Sequence, residues 1–125
     1  VVEDNDLNLQ LIVDLLSYHG YTVLEARNGL EAVLMARKHP IDLILMDMQL
    51  PVMSGFESII MLRADEHTAG IKIIAVTSFA LTEEKERVLA TGVDGFVTKP
   101  IDTREFPKIV ERFLAQKATN PLRTV

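Results

Sequence analysis

Short β-branched runs alternate with amphipathic stretches along the chain. Val1-Val2 reads as the end of a first strand. Residues 7–19 carry apolar side chains at Leu9, Ile12, Val13, Leu15 and Leu16, a helical spacing that Gly20 closes. Thr22-Val23-Leu24 predicts a second short strand. Asn28 and Glu31 form a capping-box-like start for a helix to about Lys38, which Pro40 ends. Ile41 to Met46 is apolar except for Asp42, the pattern of a strand buried on both faces. Ser54 and Glu57 open a third helix reaching about Asp65, and Ile71 to Thr77 is a second doubly buried strand. Thr82-Glu83-Glu84 begins a helix that stops at Gly92, and Phe96-Val97-Thr98 is a fifth strand. Asp102 with Glu105 caps a last helix to about Gln116.

Five strand–helix units imply an α/β fold with helices on both faces of a parallel sheet. Right-handed crossovers favour a doubly wound, five-stranded sheet in the order 2-1-3-4-5. The 125 residues suit one domain, spanning 1–116, followed by a polar, aperiodic tail over 117–125 that is expected to be flexible. The chain begins Val1-Val2-Glu3 without a methionine, so a few residues are expected to precede it.

Composition narrows the function classes. There are no cysteines, which excludes a disulfide scaffold, a thiolate metal site and a cysteine nucleophile; a reducing cytoplasm fits this. Thirteen Lys plus Arg against eighteen Asp plus Glu give a net charge of −5, so the chain lacks the basic footprint of direct nucleic-acid binding. No apolar run approaches the roughly 20 residues that cross a bilayer.

In an open parallel sheet, ligands sit at the carboxyl ends of the strands, beside the switch point in strand order. Those ends carry Glu3-Asp4, Asp47, Thr77-Ser78 and Lys99-Pro100. Parallel strands share a direction, so three carboxylates, a hydroxyl and one ammonium converge on one edge. The carboxylates repel one another, and Lys99 offsets only one of them. A hard divalent cation relieves the excess, and Mg²⁺ favours one or two carboxylates plus waters and phosphate oxygens. The remaining groups suit phosphoryl chemistry: Asp47 as a carboxylate nucleophile, with Lys99 and Thr77 facing the equatorial oxygens.

Four motifs in this order, Glu3-Asp4, Asp47 through Gly55, Ala75-Val76-Thr77 and Gly95 through Pro100, resemble the receiver domain of bacterial two-component response regulators, with a CheY-like, flavodoxin-like three-layer fold. The resemblance runs from Val1 to about Gln116. Val2 to Asn5, Asp42 to Asp47 and Lys99 to Ile101 are most like single-domain regulators of the DivK type and the receiver modules of hybrid histidine kinases.

The resemblance implies roles residue by residue. Asp47 is the phosphoacceptor. Asp4, Asp47 and the Gln49 carbonyl hold Mg²⁺, with Glu3 acting largely through bound water. Thr77 and Phe96 are the switch pair, and Lys99 meets the phosphoryl group from a cis Lys99–Pro100 bond. Gln49 and Phe79 flank the site, where Phe79 is expected to restrict water. The implied function is acceptance of a phosphoryl group from a sensor histidine kinase or histidine phosphotransfer protein. The surface so switched then meets a downstream protein or a second copy of the chain.

Singly, these residues have plainer accounts. Glu3, Asp4 and Asp6 precede a helix, where acids complement the dipole. Thr77 is an ordinary strand residue, Phe96 a core residue and Lys99 a solvated lysine. Asp47, closing an apolar strand, is costly unless paired or coordinated. The alternative is a Mg²⁺-dependent phosphohydrolase with an aspartyl-phosphate intermediate. Haloacid-dehalogenase-type enzymes of that kind place an acid two residues after the nucleophile, where this chain has Gln49.

Overall fold

The computed structural model describes residues 1–50, 52–78 and 82–118. Its elements run α1 (Asp6–Tyr18), α2 (Gly29–Lys38), β1 (Leu43–Asp47), α3 (Gly55–Ala64), β2 (Lys72–Thr77), α4 (Thr82–Ala90), β3 (Gly95–Thr98) and α5 (Phe106–Ala118). β1, β2 and β3 pair in parallel in that order, with Leu43 opposite Lys72 and Ile74 opposite Gly95.

The two segments expected as the first and second strands form single parallel bridges instead. Val2 bridges Met46 on one side and Ala26 on the other. This keeps the order 2-1-3-4-5 but corrects the second strand, which was expected at Thr22–Leu24. Between these two segments the Val1 amine donates to Leu24 O, Ala26 N to Val1 O and Glu3 N to Ala26 O.

Period-two burial divides the sheet between two helical layers. Ile44, Met46, Ile73 and Ala75 pack with Ala32, Val33, Ile59, Leu62 and Val88 of α2, α3 and α4. Leu45, Ile74 and Val76 face the other way, onto Ile12 and Leu16 of α1 and Phe106 and Val110 of α5. β1 and β2 are buried along nearly their whole length, while β3 is only half-buried.

The helix starts follow local chemistry. Asn28 Oδ1 accepts from Glu31 N at 2.8 Å, and Ser54 Oγ from Glu57 N at 3.2 Å. Asn5, for which the sequence reading had no role, caps α1 by accepting from Asn8 N at 3.0 Å. Asp102 accepts from the Arg104 and Glu105 amides, organising the turn before α5, so the helix itself starts at Phe106.

An arginine clamp fixes the sheet's far end. Arg63 on α3 donates to Gly92 O, Ala69 O and Ile71 O, and pairs with Asp94 at 2.8 Å. Asp94 in turn accepts from Ile73 N at 2.8 Å, tying the start of β3 to β2.

Where α2 and α3 meet, Gly29 permits close contact. A Cβ there would overlap Ser58 Oγ and the Met53 carbonyl, and the latter is backbone that cannot rotate away. Gly29→Ala is therefore expected to destabilise by about 1–3 kcal/mol despite alanine's better helix propensity, measurable by urea denaturation.

Candidate functional site

The site is built where the central strands run out. β1 ends at Asp47, whose amide donates to Val2 O at 3.0 Å; the bridge at Val2 thereby carries Glu3 and Asp4 to the same sheet edge. Glu3 is 1% exposed and Asp47 2%, while Asp4 is exposed. A ligand oxygen from each of the three lies within 4.8 Å of the others.

Lys99 arrives from the opposite side. Its amide donates to Thr77 O at 2.8 Å, extending the β2–β3 ladder by one residue, and the Lys99–Pro100 bond is cis as expected. Its Nζ lies 3.1 Å from Asp47 Oδ2 and 3.4 Å from Glu3 Oε2. One ammonium is thus divided between two buried carboxylates. Burial and the neighbouring Asp47 push the Glu3 carboxyl up to about 7, with Lys99 and Asn8 opposing the rise. Burial works against the Lys99 ammonium, but its bonds and charge pairing with Asp47 and Glu3 prevail and raise it.

Thr77 is buried at the end of β2, one position beyond Val76, the register partner of Asp47. Phe96 pairs with Ala75 and packs against the α2–α4 side of the core, half-buried, with Lys85 Nζ 5.1 Å from its ring centroid. Gln49 donates its backbone N–H to Asp47 Oδ1 at 3.0 Å, and its side-chain carbonyl accepts from Ser78 Oγ at 3.1 Å. The Ser78–Gln49 bridge spans the loop ends after β1 and β2. Phe79 lies outside the described residues, as do residues 119–125 of the expected tail.

Asn8 was missed in the sequence reading. Its amide donates to Glu3 Oε1 at 3.3 Å. The available signal was its position three residues after the α1 cap, where side chains reach back toward the chain preceding the helix.

With all three carboxylates ionised, the one ammonium leaves two negative charges uncompensated. All the donor atoms are oxygens, which suits a hard divalent cation that keeps part of its water shell. The residues present therefore fit Mg²⁺. Among the described residues, no helix is long and apolar enough to cross a membrane.

A three-layer parallel α/β domain with an oxygen-donor metal pocket at the carboxyl edge of its central strand is the class that fold and site define. More narrowly, the chain belongs to the response regulator receiver domain family, which it matches over residues 1–111. It is a receiver domain of two-component signalling. It is 43% identical over 114 residues to the polar-differentiation response regulator DivK of Brucella anthropi, covering 91% of this chain and 93% of that protein.

Among solved structures it resembles the receiver domain of the sensor histidine kinase PA1611 from Pseudomonas aeruginosa PAO1. That likeness has a TM-score of 0.85 and 35% identity, covering 91% of this chain and 93% of that one. The PA1611 domain holds a magnesium ion in its active-site cleft. Chemotaxis response regulator CheY4 of Vibrio cholerae is similar at a TM-score of 0.84 and 30% identity, covering 90% of this chain and 93% of that one. Family membership places the chain among signalling receivers and away from the phosphohydrolase alternative.

Proposed function

We propose that this receiver takes a phosphoryl group on Asp47 from a phosphohistidine of a sensor histidine kinase or histidine phosphotransfer protein in the cytoplasm. The observation that carries this reading is the buried Asp47 carboxylate, held by Lys99 and by the Gln49 amide within a cluster of three acids. Asp4, Asp47 and the Gln49 carbonyl would hold Mg²⁺, with Glu3 acting through a water. When bound, Mg²⁺ supplies charge neutralisation to the phosphoryl oxygens.

In the transfer, a lone pair of Asp47 forms the new O–P bond, and the N–P bond to the donor imidazole breaks, its electron pair returning to nitrogen. Lys99 moves its charge toward the equatorial oxygens, and the Thr77 hydroxyl donates to one of them. Movement of Thr77 toward the phosphoryl group frees space for Phe96. The switched surface around Phe96 and α4 then binds a downstream protein or a second copy. Reversing a 99:1 preference takes about 5.5 kcal/mol. A single hydrogen bond to a charged group contributes about 1.5–3 kcal/mol. Thr77 and Lys99 must therefore act together with the metal. In self-dephosphorylation water attacks the phosphorus, the O–P bond to Asp47 breaks, inorganic phosphate leaves and the carboxylate is restored.

The test is intact mass after incubation with acetyl phosphate, with and without Mg²⁺. A single phosphoryl adduct that depends on Mg²⁺ is expected. A folded, Mg²⁺-binding protein that forms no adduct and binds no beryllofluoride overturns the reading.

A further inference from the structure

Asn8 sits in the first turn of α1, fixed by its backbone N–H on the Asn5 cap. A side chain at this third helical position commonly turns back to the cap's own amide. Here the Asn8 amide goes to Glu3 Oε1 instead, 3.3 Å away. Glu3 is 1% exposed, so its orientation depends on its protein partners. Among the described residues, the side-chain groups facing it are Asn8 on Oε1, Lys99 on Oε2 and the neighbouring Asp47 carboxyl, and Lys99 stands closer to Asp47 than to Glu3.

We infer that Asn8 is a positioning residue that keeps the buried Glu3 carboxylate aimed at the metal pocket, above all when Lys99 is drawn away to a phosphoryl group. This inference rests on the phosphoacceptor reading. During transfer, Lys99 follows the new charge on Asp47 and its contact with Glu3 Oε2 weakens. The Asn8 contact lies on the other carboxylate oxygen and is anchored in a separate element, α1. A neutral amide also orients Glu3 without cancelling its charge. A cation in the same place would compete with the divalent ion for that carboxylate.

The test compares the parent protein with Asn8→Leu and Asn8→Gln by calorimetric Mg²⁺ titration, with and without beryllofluoride, alongside thermal unfolding without metal. Leucine is isosteric and a good helix former, so the fold is retained while the donor is removed. Asn8→Leu is expected to weaken Mg²⁺ binding by about tenfold, with a larger loss in the presence of beryllofluoride. Asn8→Gln, which keeps the amide, is expected to recover most of the loss. Unchanged Mg²⁺ affinity in Asn8→Leu under both conditions overturns the inference. So does a loss that glutamine fails to recover and that tracks lowered thermal stability. If the parent itself binds neither Mg²⁺ nor beryllofluoride, the phosphoacceptor reading fails first; if the parent binds both and Asn8→Leu matches it, the role of Asn8 alone is refuted.

Discussion

Asp47→Asn is expected to accept no phosphoryl group from acetyl phosphate and, in metal-free buffer, to be more stable than the parent protein. The first outcome follows from the loss of the nucleophilic carboxylate, because an amide oxygen cannot replace it. The second follows from the electrostatics of the pocket when EDTA withholds a cation. Glu3 and Asp47 are both buried and share one ammonium, and proximity to Asp47 is part of what drives the Glu3 carboxyl up to about 7. Asparagine leaves one buried carboxylate, Glu3, with the ammonium 3.4 Å away, and the exposed Asp4 beside them.

The variant loses the 3.1 Å bond between Lys99 and Asp47, but Lys99 keeps Glu3 as a partner while the repulsion between the acids disappears. One pKa unit corresponds to about 1.4 kcal/mol, so a net gain on the order of 1 kcal/mol is expected by urea denaturation in EDTA. Mg²⁺ should reverse the ranking. At a concentration of about 100 Kd it adds about 2.7 kcal/mol to a protein that binds it only when folded, and the parent binds it better. A variant less stable than the parent in EDTA would show that the Lys99–Asp47 pair outweighs the repulsion, contrary to this account.

The site's strain and its legibility in the sequence have a common origin. A carboxylate closing an apolar strand is conspicuous because local preference opposes it, which is why Asp47 stands out. Glu3, Asp4, Thr77 and Lys99 are unremarkable singly, and only the rule that parallel strands end on one edge brings them together. The caps at Asn28 and Ser54 were legible because their bonds close within three residues. Asn8, Ser78 and Arg63 were not, because their roles depend on where separate elements dock. Asn8 needs the start of α1 beside the Glu3 carboxylate, and Ser78 needs the β1 and β2 loops side by side. Arg63 reaches Asp94, 31 residues away, only once α3 lies along the sheet. Thr22–Leu24 has strand-like residues, yet the parallel bridge forms at Ala26, because propensity marks strand-forming residues and not their register.

The pH response should carry the signature of the same pocket. Glu3 has a pKa of about 7 in the folded protein against an ordinary value of 4.5, so between those values the native state holds more protons than the unfolded chain. Stability therefore falls as pH rises through that window and levels off above about 7. The contribution of Glu3 is on the order of a few kcal/mol at most. Comparing the parent with Glu3→Gln in EDTA from about pH 5 to pH 8 isolates this contribution, because the other titrating groups remain in both proteins. The parent is expected to lose stability relative to the variant across that range; a constant or opposite difference would remove Glu3 as its source. Mg²⁺ binding should respond in the other direction. The pocket binds a cation best when Glu3 is ionised, so binding releases protons and tightens as pH rises toward about 7. Proton release that disappears in Glu3→Gln would tie both trends to one carboxylate. The group that makes the pocket unfavourable at neutral pH in EDTA would then be the one that prepares it for the cation.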